Sequence, residues 1–147
     1  MLARYLEKFG TDLGLSKSSR CVDLGSGTGV LGIALSLALG CKDVFITDKV
    51  FLTAFRHFQL SGRSHLSFEQ GEMLKLMAQN ASKNHSSARV EELIWGEALP
   101  RWVAEQKVDF VLAADCIYHE NLVPPFVKAL VDLRSVVNVW CDCSSIH

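Results

Sequence analysis

A glycine-rich turn between a short apolar strand and a long apolar helix constrains the fold of this chain more than any other feature. The apolar segment from Cys21 to Leu24 runs into three glycines at alternate positions, Gly25, Gly27 and Gly29, and a second apolar segment follows. Glycine is favoured where the backbone turns tightly and approaches a ligand without an intervening Cβ. A strand, a glycine turn and a helix N-terminus together form a binding edge for nucleotide-like ligands. The sequence therefore predicts an α/β domain with such an edge.

The spacing of the glycines separates two classes of nucleotide ligand. A dinucleotide fingerprint, G-x-G-x-x-G, requires its third glycine at position 30, where this chain has Val30. The third glycine comes one residue earlier, and Asp23 lies two residues before the first glycine. This pattern resembles motif I of the class I S-adenosylmethionine (SAM) methyltransferases. On this motif alone, a glycine-rich turn of some other α/β protein is the alternative.

Length, charge and cysteine usage indicate one intracellular domain. The chain has 147 residues, of which 49% are hydrophobic and 21% charged, as is ordinary for a globular protein with one core. The net charge of −1 gives no reason to expect nucleic-acid binding, and no apolar run is long enough to span a bilayer. The N-terminus does not resemble a signal peptide, and no two cysteines form a C-x-x-C pair. We expect a cytoplasmic protein without a metal site.

Apolar strands alternate with helices along the chain, which predicts a parallel sheet with right-handed crossovers. The predicted strands are Cys21–Leu24, Val44–Thr47, Val90–Trp95, Val108–Ala114 and Val136–Cys141. The predicted helices are Leu2–Phe9, Val30–Leu39, Glu72–Asn84 and Leu122–Leu133. The fourth strand is nearly all apolar, as expected at the buried centre of a parallel sheet.

Residues 49–70 interrupt this alternation, because a strand-to-helix connection is usually about 2–6 residues long. The helical spacing of Phe51, Phe55 and Phe58 is compatible with an extra helix. We interpret the segment as an insertion without a catalytic role. A cap over the ligand and a sequence from a non-standard transcript are the alternatives.

Polar and aromatic residues follow the ends of three predicted strands, where open α/β sheets bind ligands. Asp48 ends the second strand, and a carboxylate can accept hydrogen bonds from both hydroxyls of a ribose. Asp115 and Tyr118 follow the fourth strand as a D-x-x-Y tetrad, which can orient an ammonium and hold it against an aromatic face. Trp95 ends the third strand, where its ring can stack on an adenine.

Each of these residues also has a structural interpretation. Asp48 and Asp115 are both suited to cap a following helix. Tyr118 can pack as a half-buried aromatic residue, and Trp95 can occupy the core or the rim of the sheet. The sequence alone leaves these alternatives open.

Taken together, these elements resemble the family 16 protein-lysine methyltransferases, the methyltransferase-like 21 group of seven-strand enzymes. The matching stretches are L-A-R-Y-L-E (2–7), V-D-L-G-S-G-T-G (22–29), I-T-D (46–48), L-I-W-G-E (93–97) and A-D-C-I-Y-H-E (114–120). The resemblance implies a Rossmann-like class I methyltransferase sheet with about five of seven strands, in a single domain over residues 1–147.

The resemblance also implies a reaction and the residues that carry it. SAM is the implied methyl donor, and the acceptor is a lysine of a partner protein, such as a chaperone-like ATPase. Asp115 and Tyr118 are implied to be catalytic, as the family's D-x-x-Y lysine channel. The residues implied to bind the cofactor at its methionine, ribose and adenine parts are Gly25, Ser26, Gly27, Asp48, Trp95 and Ala114.

The chain departs from the family pattern at residues 49–70 and at both ends. Family members carry a segment before the first helix and two more strands after the fifth. Two alternatives therefore stand beside the lysine methyltransferase. One is a truncated, non-catalytic variant that binds SAM or partner proteins, and the other is a class I methyltransferase with a small-molecule acceptor.

Overall fold

The computed structural model describes residues 2–48 and 72–140. The insertion predicted at residues 49–70 lies outside the described residues, as does Cys141 at the predicted end of the fifth strand. Within the described residues, no helix is both long enough and apolar enough to cross a membrane.

The described strands form one parallel sheet of five strands in the order β3-β2-β1-β4-β5. The strands are β1 (Arg20–Leu24), β2 (Asp43–Asp48), β3 (Arg89–Glu92), β4 (Val108–Ala113) and β5 (Val137–Trp140). After β1 the chain forms β2 and β3 on one side of that strand, and then β4 and β5 on its other side. This reversal opens a crevice at the carboxyl ends of β1 and β4, where sheets of this type bind ligands.

Helices cover both faces of the sheet, as the alternating pattern predicts. The first face carries α1 (Leu2–Phe9), α2 (Val30–Ala38) and α3 (Glu72–Lys83). The second face carries α4 (Arg101–Ala104) and α5 (Val123–Leu133), with a 3₁₀ turn at Glu120–Leu122 before α5. The α/β fold with a Rossmann-like parallel sheet is therefore confirmed.

Strand side chains alternate between these two faces because successive residues of a strand point in opposite directions. In β1, Cys21 packs among the helices of the first face, while Val22 and Leu24 pack on the second. The register pairs Leu24 with Thr47 of β2 and with Ala113 of β4. The segments that follow these three strands consequently emerge side by side at one edge of the sheet.

The end of one strand was predicted wrongly, and one short helix was not predicted. The third strand ends at Glu92 rather than at Trp95, because the chain leaves the ladder at Leu93 and turns at Trp95 and Gly96. The short helix α4 was not predicted, since its four residues are too few to show a helical period.

The outer edge of the sheet at β3 is charged, with the sequence R-V-E-E. Arg89 pairs with Asp43 of β2 and lies over the ring of Phe45, with its guanidinium carbon 4.2 Å from the ring centroid. Asp43 also pairs with Arg20, so one carboxylate joins the amino-terminal ends of three strands.

Candidate functional site

The glycine turn adopts a backbone that side chains disfavour. Gly25, Gly27 and Gly29 have φ angles of 63°, 55° and 82°, in the left-handed region. A Cβ on Gly25 would also lie 2.8 Å from the Cβ of Cys116 and 2.9 Å from the indole of Trp95. Position 25 therefore excludes every side chain, both by its backbone and by its neighbours.

Gly27 differs from Gly25 because its outer side is open. Apart from Gly27 itself and the residues on either side of it, no described atom lies within 4 Å of the position that a Cβ on Gly27 would take. The open side leaves room for a ligand to approach the backbone directly, as a cofactor cradle requires.

Hydrogen bonds fasten the turn to the end of β2. The backbone N–H of Ser26 donates to the carbonyl of Thr47 at 2.9 Å, and the N–H of Thr47 donates to Oγ of Ser26 at 3.1 Å. The hydroxyls of Ser26 and Thr47 both donate to the carbonyl of Asp23, at 2.8 and 2.9 Å. The side chain and the backbone N–H of Ser26 are thus both engaged within the protein, and its contact with a cofactor stays a prediction.

Asp48 lies against the turn at the end of β2. Its Oδ2 accepts a hydrogen bond from the backbone N–H of Gly27 at 2.9 Å. Partial burial raises the pKa of Asp48, and the bond from Gly27 opposes this rise. A carboxylate has about four acceptor sites, so Asp48 retains capacity to accept the two hydroxyls of a ribose.

Asp23 is a buried acid beneath the turn that the sequence did not single out as a site residue. Its side chain is 1% exposed, and Oδ2 accepts from the backbone N–H of Gly32 at 3.2 Å. Gly29 at the start of α2 has no side chain to cap the helix, and Asp23 supplies an acceptor in its place. Burial, with a smaller contribution from the charge of Asp48, raises the pKa of Asp23 to about 7.

The segment after β4 forms the other side of the crevice. Ala114 and Asp115 are exposed directly after the strand, and Asp115 has a φ of 53°, which is unusual for a residue other than glycine. The predicted capping alternative for Asp115 is not observed, because the side chain of His119 caps the 3₁₀ turn by accepting from Asn121.

Tyr118 is 70% exposed, which excludes the alternative of a half-buried packing residue. Partial burial of its hydroxyl and, secondly, the charge of Asp48 raise the pKa of Tyr118. The Asp48 carboxylate ends β2 and Tyr118 follows β4, and these two strands flank β1 in the sheet. The structure thus brings Asp48, Asp115 and Tyr118 to one edge of the sheet.

Trp95 lies in the core below the turn, the structural alternative that the sequence left open. Its side chain is 5% exposed, contacts Gly25 and packs edge-on against Phe126, with ring centroids 4.9 Å apart. Its indole Nε1 has no hydrogen-bond partner among the described residues. Stacking of Trp95 on an adenine stays a prediction, because the ring presents little surface to the crevice.

The arrangement combines two chemical capacities. The Asp48 carboxylate beside the open side of Gly27 suits a ribose-containing ligand. The exposed carboxylate and phenol after β4 suit a cationic group. Thr47 was not predicted as a site residue; the available signal is its hydroxyl in the otherwise apolar run V-F-I-T before Asp48.

Comparison with known proteins agrees with this geometry. The sequence model of a family described as lysine methyltransferase matches residues 1–58 and 62–144. Protein N-lysine methyltransferase METTL21A of Danio rerio is 32% identical over 135 residues, covering 92% of this chain and 52% of that protein. Protein-lysine N-methyltransferase EFM6 of Saccharomyces cerevisiae is 29% identical over 155 residues, covering 94% of this chain and 56% of that protein. The chain spans about half the length of these curated relatives.

Solved structures resemble the fold at lower sequence identity. YjhP from E. coli has a TM-score of 0.57 and 16% identity, covering 89% of this chain and 43% of that chain. A human methyltransferase 10 domain containing protein has a TM-score of 0.56 and 12% identity, covering 93% of this chain and 60% of that chain. At these identities the likeness concerns the fold alone.

Proposed function

Because the chain belongs to the lysine methyltransferase family, we propose that it transfers a methyl group from SAM to a lysine side chain of a partner protein. The relatives named above are described as protein-lysine methyltransferases, which supports this class of acceptor. The observation that carries the proposal is the contact between Gly25 of the turn and Cys116 after β4. This contact supports one crevice, in which we assign ribose binding to the turn side and cation binding to the side after β4.

The residues of the crevice fit SAM. The open side of Gly27 admits the ligand to the backbone, and Asp48 has acceptor capacity for the ribose hydroxyls. Ala114 is exposed at the end of β4, on the opposite side of the crevice. SAM supplies a methyl group bonded to a positively charged sulfur.

The chain's own residues orient the acceptor lysine. The carboxylate of Asp115 accepts hydrogen bonds from the lysine Nζ and directs its lone pair towards the methyl carbon. The ring of Tyr118 holds the cationic product by cation–π attraction and desolvates the amine, which favours its neutral form before attack. With SAM bound, the neutral amine would take the methyl group, the electron pair of the carbon–sulfur bond would stay on the departing thioether, and the product ammonium would release a proton to solvent.

We further propose that the reaction takes place in the cytoplasm. Cys21, Cys41 and Cys116 are free thiols, as expected in a reducing compartment. Fractionation of cells that produce the tagged protein tests this location, and recovery in a secreted fraction would contradict it.

Two glycine variants test whether the crevice binds SAM. Gly27 and Gly14 both have positive φ angles, 55° and 86°, and in neither case does a described atom lie within 4 Å of the position that a Cβ would take. Alanine at either position should therefore cost about 1–2 kcal/mol of backbone strain. Only Gly27→Ala places a methyl group on the crevice side of the turn.

Calorimetric titration with S-adenosylhomocysteine gives the readout. We expect wild type and Gly14→Ala to bind with similar affinity, and Gly27→Ala to bind about tenfold or more weakly, a loss of at least about 1.4 kcal/mol. Equal affinity in all three proteins would place the ligand elsewhere, and no binding by the wild type would contradict the proposed cofactor.

A second experiment identifies the acceptor. The protein is incubated with methyl-labelled SAM and a cell lysate, and in parallel with a purified chaperone-like ATPase. Mass spectrometry of the labelled bands should locate the methyl groups on lysine Nζ. Label confined to small molecules would favour the alternative acceptor class.

A further inference from the structure

We propose that Thr47 is a positioning residue whose hydroxyl holds the glycine turn in the geometry that places Asp48 for a ribose diol. This inference deepens the proposed function and rests on it for the identity of the ligand. It concerns a residue that contacts the turn rather than the ligand, and acts through Asp48.

The hydroxyl of Thr47 lies where an apolar side chain would otherwise be expected. Thr47 is fully buried, and the three residues before it in β2, Val44, Phe45 and Ile46, are apolar and buried. A buried hydroxyl without a partner is unfavourable, so its hydrogen bond to the carbonyl of Asp23 satisfies a group that strand formation alone does not require.

Thr47 makes three hydrogen bonds, two to Ser26 of the turn and one to Asp23 of β1. Its carbonyl accepts from the N–H of Ser26, its N–H donates to Oγ of Ser26, and its hydroxyl donates to Asp23 at the end of β1. The Ser26 hydroxyl donates to the same Asp23 carbonyl, so that two hydroxyls from different segments share one acceptor. The end of β2 and the turn are therefore joined as one unit.

Asp48, the residue after Thr47, links these hydrogen bonds to the predicted ligand. Asp48 accepts from the N–H of Gly27 at 2.9 Å, one residue beyond the Ser26 contacts. A change in the position of Thr47 would shift Asp48 and Gly27 relative to each other. The hydroxyl thus sets the distance between the carboxylate and the open side of the turn.

Three variants separate positioning from stability. Thr47→Val keeps the shape and the strand preference of the side chain but removes the hydroxyl, while Thr47→Ser restores it. Ser36→Ala is the matched control, because Ser36 is a buried hydroxyl on α2 that accepts from the N–H of Ser87 at 3.1 Å, away from the turn.

Hydrogen exchange at the Gly27 amide, measured by NMR without ligand, reports how often the hydrogen bond between Gly27 and Asp48 opens. We expect exchange to be about tenfold faster in Thr47→Val, near the wild-type rate in Thr47→Ser, and unchanged in Ser36→Ala. Wild-type exchange in Thr47→Val would overturn the inference.

A double-mutant cycle with Asp48→Ala tests whether Thr47 acts through Asp48. Thr47→Val should weaken S-adenosylhomocysteine binding about fivefold in the wild-type background and have little effect in the Asp48→Ala background. Equal effects in both backgrounds would indicate a merely structural role and overturn the inference. If the wild type does not bind S-adenosylhomocysteine, the proposed function fails, and the exchange at Gly27 still decides the role of Thr47.

Discussion

The two sides of the crevice differ in how much of their geometry the protein itself fixes. On the turn side, Asp23, Ser26 and Thr47 are joined by hydrogen bonds of 2.8 to 3.1 Å between the turn and the ends of β1 and β2. On the side after β4, Asp115 and Tyr118 are exposed, and Asp115 has a left-handed backbone.

This difference fits two ligands of different kinds. A small cofactor is bound best by a preorganised site, since little ordering is then required when it binds. A lysine on a protein surface, the proposed acceptor, arrives with its own surroundings, which can complete the side that this chain leaves exposed. The four predictions below test this division.

Gly25→Ala should have the largest effect, because the new methyl group would contact both sides of the crevice at once. Its clash with Cys116 and Trp95, added to the strain of a φ near 63°, should lower the free energy of unfolding by about 2–4 kcal/mol. Urea denaturation measures this loss, with Gly14→Ala as the control for strain alone. Equal losses in the two variants would show that the neighbours of Gly25 yield easily.

Asp115→Asn should affect the exposed side alone. Asparagine tolerates the left-handed backbone, so the fold should be retained, while loss of the carboxylate should slow methyl transfer about 100-fold. Initial rates with labelled SAM measure transfer, and S-adenosylhomocysteine affinity should stay near the wild-type value. A parallel loss of cofactor affinity would mean that the two sides are not separable.

Asp23→Asn should change how stability depends on pH. The pKa of Asp23 is raised from its usual 3.8 to about 7 in the folded protein, so the folded state binds more protons than the unfolded state between these values. This contribution to the free energy of unfolding is fully present below about pH 4 and is lost as pH rises through about 7.

Urea denaturation of wild type and Asp23→Asn at pH 5 and pH 8 measures this dependence. We expect the variant to lose less stability than the wild type between the two pH values. An unchanged pH dependence of the free energy of unfolding would mean that groups other than Asp23 titrate in this range.

Tyr118→Phe should have the smallest effect. Because Tyr118 is 70% exposed, the free energy of unfolding should change by less than about 0.5 kcal/mol. Phenylalanine keeps the ring that is proposed to hold the cation, so methyl transfer should fall no more than about two- to tenfold, as measured by initial rates. A large loss of stability instead would mean that Tyr118 supports the fold.

Much of the fold follows from the sequence because apolar runs and glycines act locally. The segment Val108–Ala113 is apolar enough to predict a central strand, and it lies beside β1 in the sheet. The end of β3 was harder to predict, since Leu93 and Trp95 are apolar and buried whether or not they pair in a strand. Apolarity predicts burial, but it does not show where a ladder of hydrogen bonds stops.

The candidate site was predictable where a side chain acts at a strand end, and less so where it acts through the backbone. Asp48 and Asp115 stand at the expected edge because parallel strands share the direction of their carboxyl ends. The partners of Thr47 and Ser26 are mostly backbone atoms of a neighbouring segment, which carry no sequence signal. The functional roles of the predicted site residues stay predictions that the variants above test.

The charged side chains of β3 also affect where a further strand can pair with the sheet. Charged side chains on an edge strand discourage another strand from pairing there, and Arg89 is already held by Asp43 and Phe45. The opposite margin, β5, has the less charged sequence V-N-V-W. An additional strand would therefore pair more readily at β5 than at β3, and β3 would stay the outer margin of the sheet.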